Sequence, residues 1–222
     1  MSQLVTLPGQ IANPIMAAFS LSNGTQAKVL QDVTSASGTL TGGARVYDLV
    51  ASSTDASANV VIIWQALQMS LFAAMGSPNI ATQNVINRTV GSYIADGFAV
   101  GDRIMVLGDT VTVANNGTAQ ILTGVTALVL TVNGTPFTNE TCAAGFRIVK
   151  VSRRATVSIA ANSGNVNGTS NVQLIGGNGN DSTKDALGIS LGLNGLLLAS
   201  MSVAVVGAVP AAVEITGNAM LY

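Results

Sequence analysis

Residues 97–132 read GFAVGDRIMVLGDTVTVANNGTAQILTGVTALVLTV, and this stretch decides the fold class of the chain. Its residues 103–108 alternate with the two-residue period of a β-strand. Residues 115–117 are Asn-Asn-Gly, which is a turn signal because Asn and Gly tolerate the positive φ of tight turns. Residues 125–132 are β-branched and apolar apart from a few positions. We therefore predict three or four short strands joined by turns.

The segments on either side of this stretch predict that it belongs to an inserted module. Residues 87–93 read as a strand that enters the module, and residues 146–152 as a strand that leaves it. Short strands at this spacing are typical of a small barrel or a compact sandwich. We therefore predict a small, barrel-like β module at residues 86–152. A module of about 70 residues buries only a marginal core, so we expect it to pack against its host.

The remaining segments complete an all-β fold, with a β-sandwich or jelly-roll-like body at residues 41–85 and 153–222. Residues 45–51, RVYDLVA, alternate as a strand does. Residues 59–74 fit either a helical stripe or a strand, and their β-branched opening VVII favours a strand. We expect Trp64, the only tryptophan, to lie in the core. Further strands are expected at residues 155–160, 196–206 and 211–222.

The first 40 residues show no sustained period and contain Pro8 and Pro14. We predict an extended N-terminal arm at residues 1–40 with a strand near residues 27–33. Such an arm would find its apolar partners on another subunit or on the body of its own domain. An ordinary edge strand followed by loops explains the same residues equally well.

The composition excludes several classes of function. Charged residues make up 9% of the chain, whereas an ordinary soluble domain carries about 25%. There is no histidine, which excludes Ser-His-Asp and Cys-His catalysis and histidine-ligated metals. The net charge of −1 gives no reason to expect a nucleic-acid partner. We therefore expect a non-enzymatic protein without a cofactor or a metal, whose weakly charged surface favours self-association.

Residues 186–213 are the one candidate for a membrane anchor. No charged residue lies between Asp185 and Glu214, and the segment is long enough to span a bilayer. Several glycines and Pro210 interrupt it, and its second half alternates as a strand does. We expect buried or interface strands and no membrane partner, and a membrane-associated protein anchored through 186–213 is the alternative.

Three aspartates, the single cysteine and a glycine-rich segment are further candidate sites. Asp96, Asp102 and Asp109 flank the predicted central strand, and turns explain them better than a paired-carboxylate hydrolase does. Cys142 has no second cysteine to pair with, and its neighbours in TCAAGF favour a small buried residue over a reactive thiol. The glycine-rich residues 176–179 lack the Lys-Ser/Thr of a phosphate loop. Two carboxylates, Asp181 and Asp185, are too few for a calcium loop.

The densest cluster of positive charge lies at the end of the predicted module. It consists of Arg147, Lys150, Arg153 and Arg154. On a strand, Arg147 and Lys150 point to opposite faces, so these residues do not form one patch. We interpret them as solvated or interface charges, with contact to an acidic partner as the alternative.

The stretch at 97–132 resembles a small β module of structural proteins from tailed bacteriophages. The matching order is Gly-Phe, Gly-Asp, a short strand, Asn-Asn-Gly, a strand, and Val-Thr-Ala-x-x-Leu-Thr-Val. The positions that match are Gly97, Phe98, Gly101, Asp102, Asn115, Asn116, Gly117, Val125, Thr126, Leu130, Thr131 and Val132. The flanking halves resemble β-sandwich proteins that decorate or cement phage capsids.

The resemblance implies a function but no catalytic residues. It implies a capsid decoration or cement protein that stabilises the phage head. Such a protein would be a homo-oligomer, for example a trimer, bound to the major capsid protein. It would be assembled in the host cytoplasm and lie on the capsid surface of the virion. The alternative within the same class is a tail-tube, tail-fibre or other virion component.

Overall fold

The computed structural model describes most of the chain, and the described part is nearly all β, which confirms the predicted fold class. The described residues are 11–20, 25–33, 43–164, 170–175, 188–192, 195–206 and 212–221. Their strands are β1 Ile11–Ser20, β2 Lys28–Asp32, β3 Ala44–Ser53, β4 Asn59–Leu71, β5 Asn79–Ala81, β6 Val85–Asn87, β7 Arg103–Leu107, β8 Gln120–Val125, β9 Val129–Val132, β10 Glu140–Thr141, β11 Arg147–Ile159, β12 Val172–Ile175, β13 Ile189–Leu191, β14 Leu196–Met201 and β15 Ala212–Leu221. A single helical turn, α1 Phe72–Met75, follows β4, and a 3-10 turn spans Val113–Asn115.

The structure confirms most of the strands that the sequence predicts. The central stretch contains β7, β8 and β9, and residues 59–71 form one long strand. The strands expected at 146–152 and 155–160 are one continuous strand, β11. The strand expected at 87–93 is wrong, because β6 ends at Asn87. The residues that follow form turns, in which Arg88 N and Tyr93 N donate to the carbonyls of Leu128 and Ala127.

The chain divides into two compact units. Unit 1 contains residues 1–24, 28–63 and 155–222, and unit 2 contains residues 25–27 and 64–154. The second unit therefore includes residues 64–85, which our division by sequence places in the body. No local signal marks this boundary, because β4 and β11 each run through it without a break.

Unit 1 contains two antiparallel groups of strands around one apolar core. The first sheet has the order β1-β15-β3-β12, with β13 also paired to β3. The second group has the order β11-β4-β14-β2. The core takes side chains from both, among them Phe19, Leu49, Ile63, Leu197 and Ile215. A sheet on each side of a shared core is the arrangement of a β-sandwich.

The N-terminal segment contributes two strands to unit 1. All ten residues of β1 pair with β15, from Ile11 opposite Leu221 to Ser20 opposite Ala212. Ile15 and Phe19 are fully buried in the core. Strands β1 and β2 lie at the ends of their sheets. The described residues of the predicted arm are therefore edge strands of the body, which is the second of the two interpretations given above.

Unit 2 is an antiparallel sheet with its own apolar core. Its strand order is β10-β5-β6-β9-β8-β7-β11. Its core consists of Met75, Ile80, Ile86, Tyr93, Phe98, Ile104, Val106, Leu122, Leu130, Val132, Phe137, Cys142, Phe146 and Ile148. Six of these residues fall within 97–132, so the stretch that decides the fold class also supplies much of this core.

The described residues of the candidate anchor at 186–213 contain strands. They include β13, β14 and the start of β15. Within the ranges that the structure describes, no helix has the length and apolar character needed to cross a bilayer.

The burial of β1 leads to a stability prediction. We expect Phe19→Ala to lower the free energy of unfolding by about 3–5 kcal/mol, because it opens a cavity in the core of unit 1. The control is Thr216→Val on the paired strand β15, which is exposed and should change stability by less than about 0.5 kcal/mol. Urea unfolding of both variants tests this, and equal losses would show that β1 does not pack on the core.

Candidate functional site

A buried arginine organises the turns of unit 2. The Arg88 side chain is 1% exposed and its Nη1 donates to Asp96 Oδ2 at 2.5 Å. Its Nε donates to the Val90 carbonyl at 2.5 Å and its Nη2 to the Ala74 carbonyl at 2.6 Å. Ser70 Oγ also donates to Asp96. One guanidinium thus satisfies three acceptors from separate turns, which a fork of five N–H donors can do.

Tyr93 and Gly91 pack closely against the Arg88 guanidinium. The guanidinium carbon lies 4.7 Å from the centre of the Tyr93 ring. Burial raises the pKa of Tyr93 well above its ordinary value, so its hydroxyl stays protonated. At Gly91, where φ is +82°, any Cβ would collide with the Arg88 side chain. The guanidinium itself is buried and each of its nitrogens has an acceptor, so its chemistry is that of a structural anchor.

A second polar cluster joins two carboxyl groups that are 31 positions apart in sequence. Asn115 Nδ2 donates to Asp109 Oδ2 at 3.2 Å and to Glu140 Oε1 at 2.8 Å. The same nitrogen lies 3.2 Å from the Thr138 carbonyl, and Thr138 N donates to Asn115 Oδ1 at 2.8 Å. Asp109 and Asn115 are 3% and 1% exposed. A single amide therefore connects the turn after β7 with the segment that leads into β10.

Glu140, the second carboxyl group of this cluster, lies in an environment that disfavours its charged form. Burial raises the pKa of Glu140, and the hydrogen bond with the Asp109 side chain raises it further. Glu140 Oε2 is buried without a hydrogen-bond partner. The two carboxyl groups share one amide donor and are hydrogen-bonded to each other, which is the arrangement of a structural cluster.

The turn at 115–117 is built by side chains as well as by backbone. Asn116 Oδ1 accepts from Asp109 N at 2.8 Å, and Asn116 Nδ2 donates to the Asp109 carbonyl at 2.8 Å. Gly117 has a φ of +73°, and its carbonyl accepts from Ala27 N at 2.9 Å. A Cβ at Gly117 would collide with the backbone of Ala27. The Asn-Asn-Gly signal is confirmed as a turn, and Gly is required there by space and by φ.

The three candidate aspartates do not meet in one cleft. Asp96 binds Arg88, and Asp102 Oδ2 lies 2.8 Å from Lys150 Nζ. Asp102 also accepts from Ala99 N, and Asp109 accepts from the backbone of the two turn residues Val111 and Thr112. The turn interpretation is confirmed for Asp102 and Asp109. The ion pair of Asp96 was missed, because nothing in the local sequence connects it to Arg88.

The four basic residues of β11 differ in burial and in the contacts that they make. Lys150 is half-buried and pairs with Asp102, and its Nζ also donates to the Gly97 carbonyl at 3.3 Å. Arg153 and Arg154 are exposed, whereas Arg147 is half-buried. Lys150 is thus part of unit 2's own structure and is not part of a basic patch. For the cluster as a whole, solvated or interface charges stay the prediction, and contact with an acidic partner stays the alternative.

Two other sequence-based assignments are confirmed, and two lie outside the described residues. Cys142 is buried, and burial, followed by the charges of Glu140 and Asp109, raises the pKa of its thiol to about 12. Trp64 is 5% exposed, with the Arg103 guanidinium 5.6 Å from its ring. Residues 176–179, Asp181 and Asp185 lie outside the part that the structure describes. Within that part, no group of three acidic, cysteine or histidine side chains is placed to hold a metal ion.

The described surface is notable for exposed apolar side chains. They are Met16, Val29, Tyr47, Leu67, Val90, Ile94, Val100, Val111, Val113, Ile121, Leu128, Val203 and Val206. The most exposed is Met16 of β1, at 81%. On the same strand Pro14 and Ala18 are also exposed, while Ile15 and Phe19 point into the core. We call Pro14, Met16 and Ala18 the β1 outer face.

The β1 outer face is the best candidate for an interaction surface. It borders a depression of about 190 Å³ lined by Met16, Ala17, Ala18, Glu214, Ile215 and Thr216. The sequence of β1, IANPIMAAFS, is apolar on both faces, so its pattern does not show which face is buried. Only the folded structure, in which β1 pairs with β15, shows which face of β1 is buried.

Protein-family models, curated proteins and solved structures gave no match to this chain. The function must therefore be argued from the residues and the geometry above.

The anchor role of Arg88 leads to a second prediction. We expect Arg88→Lys to lower the free energy of unfolding by about 3 kcal/mol, because an ammonium cannot reproduce the fork and stays buried. The matched control is Arg103→Lys, which keeps a cation near Trp64 and should cost less than about 1 kcal/mol. Chemical denaturation measures both, and a small loss at Arg88 would contradict the anchor role.

The carboxyl pair leads to a pH prediction. The native state holds the Glu140 proton more tightly than the unfolded chain, because its native pKa is raised. The raised pKa of Glu140 therefore adds to the free energy of unfolding. This stabilisation is fully present below the ordinary carboxyl pKa of 4.5 and is lost as the pH rises through the native pKa of Glu140. We expect Glu140→Gln to remove this loss and to be more stable than the native chain at neutral pH.

Unfolding free energies between pH 4.5 and pH 8 test the role of Glu140, whose ordinary pKa is 4.5. Glu214→Gln, at an exposed carboxylate on β15, is the control for the loss of one acidic side chain. An unchanged slope in Glu140→Gln would contradict the prediction.

Proposed function

We propose that this chain is a non-enzymatic structural protein of a tailed-phage virion, a decoration or cement protein of the capsid. It acts as a homo-oligomer bound to the major capsid protein on the capsid surface, after assembly in the host cytoplasm. Its mechanism is mechanical, because it bridges neighbouring subunits by buried apolar contacts and backbone hydrogen bonds. A tail-tube, tail-fibre or other virion component is the alternative, followed by a membrane-associated protein anchored through 186–213.

The observation that carries this proposal is the combination of few charges with many exposed apolar side chains. The chain has 9 basic and 10 acidic residues in 222, and thirteen large apolar side chains are exposed in its described part. Charged residues are depleted at the centres of protein interfaces, where apolar and aromatic side chains are enriched. A surface of this composition supports a subunit that works in contact with neighbours.

The assignment to a virion rests on the resemblance at 97–132. Its turn residues have demonstrable roles here, since Asn115, Asn116 and Gly117 build the turn described above. Those roles are structural, and they support a rigid module whose exposed face carries Val111 and Val113 at 56% and 61% exposure.

The buried polar clusters support a structural role better than a catalytic one. In the Arg88 cluster, every guanidinium nitrogen has an acceptor within unit 2. In the second cluster, the Asn115 amide donates to both carboxyl groups. Catalytic groups need access to a substrate, and both clusters are instead packed within turns.

Binding to isolated virion parts tests the proposal. We expect the labelled chain to sediment with heads that lack it, at a fixed ratio to the major capsid protein, and not with isolated tails. Heads already saturated with unlabelled chain are the control for non-specific adhesion. Binding to tails alone would replace the head assignment by the tail alternative. Solubility only in detergent would favour the membrane alternative, and binding to neither part would overturn the virion role.

A further inference from the structure

We infer that Asn133 is a site of spontaneous deamidation in the folded chain, where it is converted to aspartate and isoaspartate. The reaction uses water and the backbone nitrogen of Gly134, the next residue. This inference goes beyond the proposed function and does not depend on it, because it concerns the chemistry of one exposed turn.

The reaction is a ring closure within the chain, followed by hydrolysis. The Gly134 nitrogen loses its proton to solvent base and attacks Asn133 Cγ. The new N–C bond closes a five-membered succinimide ring, and Nδ2 takes a proton from solvent and leaves as ammonia. Water then opens the ring at one of its two carbonyl carbons. Opening at Cγ gives aspartate, and opening at the backbone carbonyl gives isoaspartate, in which the chain continues through the former side chain.

The chain contains six Asn-Gly steps, and the structure describes both residues of two of them. These are Asn116-Gly117 and Asn133-Gly134. Glycine obstructs this ring closure less than any other residue, because it has no Cβ and the widest choice of backbone conformations. The two steps are alike in sequence, so a difference between them must come from the fold.

Hydrogen bonds hold the Asn116-Gly117 step in place. Asn116 Oδ1 accepts from Asp109 N, and Asn116 Nδ2 donates to the carbonyls of Asp109 and Val113. The nitrogen that would attack, Gly117 N, donates to the Val106 carbonyl at 2.8 Å. Gly117 is also buried. Ring closure requires that these bonds break first, so the folded state protects Asn116.

The Asn133-Gly134 step is open to solvent. Both residues are exposed, and so are Thr135 and Pro136. Apart from its chain neighbours, no atom lies within 4 Å of a Cβ built on Gly134. Within the part of the chain that the structure describes, no group bonds to the Asn133 side chain or accepts from Gly134 N. The amide and its attacking nitrogen are therefore free to approach each other.

The loop after Asn133 has room for the products. Asn133 N donates to the Ile121 carbonyl at 3.0 Å, and Phe137 N donates to the Gln83 carbonyl at 3.0 Å. Isoaspartate adds one methylene to the backbone between these two bonds. The residues there, 134–136, are exposed, so the loop takes up the extra length without moving the core of unit 2. We expect the modified chain to stay folded and to accumulate.

Deamidation matters more in a chain with few charges. The formal net charge is −1 at pH 7, and each event adds one negative charge because a carboxylate replaces a neutral amide. The added charge opposes self-association, which a weakly charged surface favours. It also makes the aged chain separable from the fresh chain by anion exchange.

Peptide mass spectrometry on the aged full chain tests the inference. The folded chain is kept at mildly alkaline pH and then digested briefly with chymotrypsin, with unaged chain as the control for deamidation during digestion. Cleavage after leucine and phenylalanine gives peptide 131–137, whose only asparagine is Asn133, and peptide 108–122, which contains Asn116. We expect Asn133 to deamidate at least about tenfold faster than Asn116, since several hydrogen bonds must open first at Asn116. Equal rates, or no reaction at Asn133, would overturn the inference.

Chain unfolded in guanidinium chloride is the control for intrinsic reactivity. Without the fold, Asn116 should deamidate about as fast as Asn133, because its hydrogen bonds are gone. The rate at Asn133 should be similar in the folded and the unfolded chain. If Asn133 is protected in the folded chain as strongly as Asn116 is, the loop is not open and the inference fails.

Two variants identify the products. Asn133→Asp gives a reference for the aspartate form of peptide 131–137, and its urea midpoint should equal that of the native chain if the loop accepts a carboxylate. A second peptide of the same mass but different retention is the isoaspartate form, and its absence would overturn the ring closure through Gly134. Asn133→Gln should stop the reaction in this peptide, because the longer amide closes a six-membered ring far more slowly. Continued deamidation at the same rate in Asn133→Gln would contradict the mechanism.

Discussion

The backbone pairing of the first and last strands is the constraint on which unit 1 depends. It joins residues 11–20 to residues 212–221 in unbroken register. A slip by one residue would turn Met16 into the core and Ile15 out of it, so the burial of Ile15 and Phe19 fixes the register. The same register decides that Pro14, Met16 and Ala18 face outward. The candidate interaction surface is therefore a consequence of how the core is closed.

Unit 2 is held together by a different means, namely buried polar side chains. Much of it is turns, whose backbone groups do not meet in a regular ladder, and buried side chains supply the missing partners. The Arg88 guanidinium holds the segments around Ala74, Val90 and Asp96. The Asn115 amide holds the two segments that carry Asp109 and Glu140. Networks of this kind favour one conformation, because any other leaves buried polar groups unpaired.

These two constructions agree with a protein that acts by contact. The chain has few charged residues, several of those in unit 2 pair inside its own structure, and the described surface exposes many apolar side chains. That surface and the resemblance at 97–132 support a virion role, which remains a proposal.

The sequence by itself determined the all-β class, the strands of the central stretch and the turn at 115–117, because two-residue alternation and turn chemistry are local properties. It also determined that Cys142 and Trp64 are buried. Only the tertiary structure decided that residues 11–20 pair with β15, that Arg88 meets Asp96 and that Glu140 meets Asp109. These contacts join residues whose positions depend on the whole chain. β1 is apolar on both faces, so only its packing in the folded chain could decide which face is buried and which is exposed.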